Sequence, residues 1–173
     1  PFLKRWVAAA RVHGLKVWFR GNLSGWEGWF GYPKITREEH IQKVQAFIVH
    51  HPELFADGDI FVSCPECENG GAGDPRQTGD REGYRAFLIA SAKGAADAFQ
   101  KIGKKVETNL ASMNGDVARL VMDKATTQAL GGSVTIDHYV RTPEQLVKDA
   151  AAIAERSGGQ IVLGEFGAPI PDI

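Results

Sequence analysis

Ile161-Val-Leu-Gly-Glu-Phe-Gly-Ala-Pro169 is a short apolar run followed by one carboxylate between glycines. The run reads as a buried strand, and Glu165 stands where that strand should meet solvent. A carboxylate is rarely kept unpaired in an apolar interior, because burial disfavours its charged form. In parallel α/β proteins the carboxyl edge of the sheet is where such groups are presented to a ligand. Phe61-Val-Ser-Cys-Pro-Glu-Cys-Glu-Asn-Gly70 has the same build, with Glu66 after an apolar run. Two carboxylates at two strand ends suit acid/base and nucleophilic chemistry on a polar substrate.

Outward from these two stretches, helix and strand patterns alternate along the chain. Phe2, Leu3, Trp6, Val7 and Ala10 have helical spacing, which stops at Gly14. Leu15–Phe19 is a strand candidate, followed by a loop rich in Gly and Trp from Arg20 to Ile35. Thr36 and Glu39 form a capping box, and Ile41, Val44, Phe47 and Ile48 line one face of the helix it starts. Ile60–Cys64 is the next strand, and Glu68–Gly79 is a glycine-rich loop. Asp80 caps a long helix with Tyr84, Phe87, Leu88, Ala92, Ala95 and Phe99 on one side. Lys105–Asn109 is expected to be a short strand, Asp116–Leu130 a helix and Ser133–Asp137 a strand. Thr142-Pro143 opens a helix ending near Ser157, and Ile161–Leu163 is the last strand. Five strands and five helices in alternation imply a parallel sheet with right-handed crossovers. Trp6 and Trp18 read as core residues.

The chain has 173 residues, 43% of them hydrophobic, enough for one substantial core. Its 20 basic and 21 acidic residues give a net charge of -1 without charge blocks, so nothing favours nucleic acid or an anionic membrane. No apolar run approaches the roughly 20 residues of a membrane span. Cys64 and Cys67 are the only cysteines, which gives no disulfide framework. Their C-x-x-C spacing is read neither as a redox pair nor as zinc ligation. Loop composition follows it, Glu66 and Glu68 oppose a thiolate, and no second ligand pair is nearby. No cofactor is expected.

An eight-stranded barrel uses about 250 residues, roughly 31 per strand-helix unit. Read as such a barrel, residues 1–173 form a single partial (β/α)8 domain that lacks the first two strands and the last. The two open sheet edges then need a cover, from self-association or from the remainder of a longer chain.

Candidate site residues follow from the strand ends. The first strand delivers Arg20 and Asn22, then Trp26, Trp29 and Tyr32. The second delivers Glu66, with Glu68 and Asn69 behind it. The third gives Asn109, the fourth His138 and Tyr139, the fifth Glu165. Carboxylates, amides and indoles together suit sugar, whose ring faces stack on aromatic rings while hydroxyls bond to polar groups. No glycine loop with Lys-Ser/Thr suggests phosphate chemistry.

On these residues the chain resembles the clan of retaining glycoside hydrolases with (β/α)8 barrels, most nearly glycoside hydrolase family 5, the cellulase and mannanase type. The resemblance rests on Gly164-Glu-Phe-Gly167, on His138-Tyr139 and on a Glu after the earlier strand, and spans helix two through strand seven. It implies cleavage of a β-linked glucan or mannan, with Glu165 as nucleophile and Glu66 as acid/base. Tyr139 would then orient Glu165, His138 would contact substrate or the acid, and Asn109 would line the cleft. Arg20, Asn22, Trp26 and Trp29 would bind substrate. Only the resemblance favours a secreted or extracellular setting. The spacing of Glu66 and Glu165 fits three units of roughly 31 residues. One departure is Pro65, which stands where the clan places an Asn before the acid; Glu68 is therefore kept as an alternative acid. Two other readings stay open: a carbohydrate-binding barrel fragment without catalytic competence, and an open α/β protein whose acidic strand ends hold a metal or cofactor.

Overall fold

The computed structural model describes residues 2–21, 23, 31 and 34–168. In chain order they form α1 (Phe2–Val12), β1 (Trp18–Arg20), α2 (Arg37–His50), β2 (Ile60–Val62), α3 (Pro75–Thr78), α4 (Arg81–Lys101) and β3 (Ser112–Asn114). Then come α5 (Gly115–Val121), α6 (Lys124–Ala129), β4 (Ser133–Tyr139), α7 (Pro143–Ser157) and β5 (Gln160–Gly167). Short 3-10 turns occupy Pro52–Leu54 and Cys67–Asn69. The fold is mixed α/β, and all strand pairs among the described residues are parallel: β1 with β2, β3 with β4, and β4 with β5.

Local chemistry sets several helix starts. The Thr36 hydroxyl accepts the Glu39 N–H at 3.1 Å while the Glu39 carboxylate accepts the Thr36 N–H at 2.6 Å, the reciprocal capping box. Asp80 accepts from the Gly83 N–H and Thr142 from the Gln145 N–H, which open α4 and α7. The helix expected over Asp116–Leu130 is two helices. Asp123 accepts the Thr126 N–H at 2.9 Å and caps a fresh start, so α5 ends and α6 begins there.

The third strand also differs from expectation. Within Lys105–Asn109 only Glu107 pairs, taking part in an isolated bridge with Ile60 through bonds of 2.8 and 2.9 Å to the flanking backbone. Regular pairing comes later, at Ser112–Asn114, where the fully buried Met113 fills the core. The single apolar Val106 offered too little burial to hold a strand, whereas Met113 anchors one.

Two apolar clusters pack between strands and helices. Val44, Ile48, Phe55, Phe61 and Phe99 lie beneath α2 and α4, with Phe55 and Phe99 edge to face at 4.8 Å. Tyr84, Leu88, Met113, Val134, Ile136 and Ile153 fill the space between β3, β4 and the helices α4 and α7. Each such side chain contributes about 1.5–3 kcal/mol on burial. At the amino ends of the strands the buried Asp59 accepts the Val17 N–H at 2.9 Å and the Ala56 N–H at 2.8 Å, and pairs with Arg11.

The outer elements are less covered. Phe2 and Trp6 on α1 are 72% and 62% exposed, Trp18 is 36% exposed, and Phe166 on the edge strand β5 is 66% exposed. Trp6 and Trp18 are therefore not core residues: α1 and β1 lie at one edge, with no further layer against them among the described residues. No described helix is long and apolar enough to cross a membrane.

Candidate active site

Polar side chains converge where the strands end. Arg20 is the last residue of β1, Asn114 of β3 and Tyr139 of β4. Glu66 and Glu68 follow β2, and Glu165 lies within β5, two residues before its end. The last strand is longer than the apolar run alone suggested, because its ladder with β4 continues through Gly167.

The pairing of β4 with β5 slips once. Ile136 opposes Leu163, but Asp137 opposes Glu165, so Gly164 is an extra residue in the ladder. A β-bulge re-aims the side chain that follows it. Here it turns Glu165 to the side occupied by Asp137 and Tyr139. Gly164 itself has to be small, since a Cβ there would lie 2.5 Å from Asp137 Oδ1.

Arg20 ties this edge together. Its Nη2 donates to Asp137 Oδ2 at 2.6 Å and lies 3.0 Å from Glu165 Oε1. The hydroxyl of Tyr139 donates to Glu165 Oε2 at 2.8 Å. Both oxygens of Glu165 are thus held, and its carboxyl group is fixed in direction. The contact of Glu165 with Arg20 is also what a purely structural ion pair would make, but it leaves the glutamate 41% exposed. Burial pushes the carboxyl of Asp137 upward and the Arg20 cation opposes that; the bond to Glu165 pushes the Tyr139 phenol up.

Glu66 faces the same cluster. Burial raises its carboxyl to about 7, reinforced by the charges of Asp137, Glu68 and Glu165 and opposed by Arg20. It is the only non-glycine residue with positive φ among those described, at φ 47° and ψ 43°. Its N–H donates to the Ser112 carbonyl at 3.0 Å, and Asn69 Nδ2 donates to its Oε2 at 3.2 Å.

Glu68 has a different place. It is buried, and its Oε1 accepts both the N–H and the Nδ2 of Asn114 at 2.7 and 2.9 Å. Its Oε2 accepts the Tyr84 hydroxyl at 2.9 Å. Burial raises its carboxyl while the bonds from Asn114 and Tyr84 lower it. Those bonds use the carboxylate to join β3, α4 and the loop after β2.

Two expected members of the site lie elsewhere. His138 points away, because successive side chains of a strand alternate between faces. Its Nε2 donates to Asp149 Oδ2 on α7 at 2.8 Å, and Asp149 also pairs with Arg119. Asn109 packs against Gly131 in the turn before β4, at the amino ends of the strands. Its place at the end of β3 is taken by Asn114, a consequence of the later start of that strand. Asn22, Trp26, Trp29 and Tyr32 lie outside the described residues. Asp137 was missed by sequence reasoning, since Ser133–Asp137 reads as an ordinary strand end. The signal available was an acidic residue directly before His138-Tyr139.

Cys64 and Cys67, whose C-x-x-C spacing is read from sequence neither as a redox pair nor as zinc ligation, are joined by a disulfide. His40 is buried beside them, with a ring nitrogen within 4.8 Å of their sulfurs. These three are the candidate metal donors among the described residues. With the sulfurs bonded to each other they supply no thiolate, and three donors are one fewer than a closed tetrahedral site requires.

Comparison with known proteins leaves the site to be judged on its geometry: no family model, no curated protein and no solved structure matches this chain.

Proposed function

We propose that this chain is part of a (β/α)8 barrel of a retaining β-glycoside hydrolase that acts on a β-linked glucan or mannan, with Glu165 as nucleophile and Glu66 as acid/base. The observation that carries the reading is the division of environment between the two glutamates. Glu165 is partly open and held by Arg20 and Tyr139. Glu66 is half-buried, with its carboxyl raised to about 7 by burial and the neighbouring carboxylates. A carboxyl raised toward neutral pH facing a second, positioned carboxyl suits double displacement at a sugar.

In that reaction Glu165 attacks the anomeric carbon and the glycosidic oxygen leaves with the Glu66 proton. Glu66, now a carboxylate, then takes a proton from water, which displaces Glu165 and restores both groups. Such enzymes hold the two carboxyls about 5–5.5 Å apart. Asp137 and Arg20 act on Glu165 by position, and His138 and Asn109 take no part.

The test is turnover of a chromogenic β-glucoside. Glu165→Gln is expected to lose at least about a thousandfold in kcat with an unchanged circular dichroism spectrum. Normal turnover in that variant removes the reading. A second reading, a sugar-binding fragment without turnover, is favoured by the exposed Phe166 and Trp18 at the two outer strands. Saturable sugar binding without hydrolysis would select it.

A further inference from the structure

Glu66 sits inside the ring closed by the two cysteines. The bonded pair is Cys64 and Cys67, with Cα atoms 5.3 Å apart, and the ring holds only Pro65 and Glu66 between them. Both cysteines are almost wholly buried, at 2% and 1% exposure.

A left-handed backbone is unfavourable for a residue with a Cβ and persists where the surroundings over-determine it. Glycine would be the ordinary choice at this position, yet the chain has glutamate. The constraints around it are visible. Proline fixes φ at position 65. The bridge ties position 64 to 67, and position 67 begins the 3-10 turn whose Glu68 is anchored to Asn114 and Tyr84. The Glu66 carboxyl is coupled by charge to Asp137 on β4, Glu165 on β5 and Arg20 on β1, and its Oε2 accepts from Asn69 Nδ2 at 3.2 Å.

We propose that the Cys64–Cys67 bridge is the positioning device for Glu66, holding it in the left-handed conformation that aims its carboxyl across the rim at Asp137 and Glu165. The proposal rests on the reading of Glu66 as acid/base only for its catalytic consequence; the conformational claim stands by itself. The bridge touches no substrate and acts through Glu66 alone. The competing arrangement is a metal ion on His40 and the two thiolates, and it is separable by experiment.

The full chain and its Cys64→Ala/Cys67→Ala variant are compared. An intact-mass measurement under non-reducing conditions should find the wild-type chain two hydrogens lighter than the reduced chain. Free thiols with one equivalent of zinc would overturn the proposal. Carboxyl carbon NMR then follows the titration of Glu66, assigned with Glu66→Gln. In the bridged chain the midpoint is expected near 7. In the variant, Glu66 swings into water and its midpoint falls by at least about one pH unit, whereas Glu68, held by its own bonds, does not move. An unchanged Glu66 midpoint in a folded variant overturns the proposal. Should the variant not fold, wild type reduced by a water-soluble phosphine is titrated instead; the phosphine gains an oxygen from water as the disulfide takes up two electrons and two protons. On a chromogenic β-glucoside, loss of the bridge should lower kcat about tenfold with KM nearly unchanged, and move the basic limb of the pH profile acidward. The NMR titration needs no turnover, so a wild-type chain inert on every β-glycoside refutes the proposed function while the titration still decides the bridge.

Discussion

Glu165 stands opposite Asp137 because Gly164 is inserted between it and Leu163, which opposes Ile136. That single extra residue places two carboxylates side by side, and Arg20 is drawn between them with contacts of 2.6 and 3.0 Å. Without the bulge, strand alternation would put Glu165 on the same face as His138, toward α7.

Gly164 is accordingly intolerant of any side chain. Gly164→Ala brings a Cβ to 2.5 Å from Asp137 Oδ1, and the buried carboxylate has to move off Arg20. The expected cost is about 1–3 kcal/mol in urea denaturation, with at least about a tenfold loss of kcat for a misplaced Glu165. A variant as stable and active as wild type would show that the bulge does not set the geometry.

Arg20 offsets the buried charge of Asp137, whose side chain is fully buried. Arg20→Met leaves that charge unpaired and should cost about 2 kcal/mol, below the limit for wholly buried pairs because part of the guanidinium is wet. Arg20→Met/Asp137→Asn should recover most of the loss. A double-mutant cycle by chemical denaturation measures the coupling; simple additivity would contradict a direct ion pair.

Glu66 makes stability depend on pH in a defined window. Its folded value of about 7 lies above its ordinary 4.5, so between these pH values the folded chain keeps a proton that the unfolded chain has released. Stability contributed by this group therefore falls as pH rises from 4.5 through 7. After allowance for solvent screening at this half-exposed position, the loss is on the order of 1 kcal/mol. Glu66→Gln should raise Tm by about 2–4 °C at pH 8 and leave it nearly unchanged at pH 4, read by calorimetry. An equal difference at both pH values would rule out titration as the cause.

Glu66 and Glu68 are separable by neutral replacements. Glu68→Gln preserves the shape that accepts from Asn114 and faces Tyr84, and should keep kcat within about threefold. It also removes a charge that raises the Glu66 carboxyl, so the basic limb of the pH profile should move acidward. Glu66→Gln should lose about a hundredfold or more. The reverse ranking would make Glu68 the acid.

The alternation of apolar runs, caps and turn residues by itself determined the parallel α/β order. Thr36 with Glu39, Asp80 and Thr142 mark helix starts through bonds made within three residues, so they are legible locally. Glu66 and Glu165 are offered as candidates for a similar reason, as charges placed after apolar runs. The pairing of distant strands decided the rest. Met113 against the helices, not Val106, determined where β3 forms, and so replaced Asn109 by Asn114. The register slip at Gly164 joined Asp137 to the site, and alternation along β4 sent His138 to Asp149. Those outcomes depend on which side chains meet across strands remote in sequence, and no spacing within one segment encodes them.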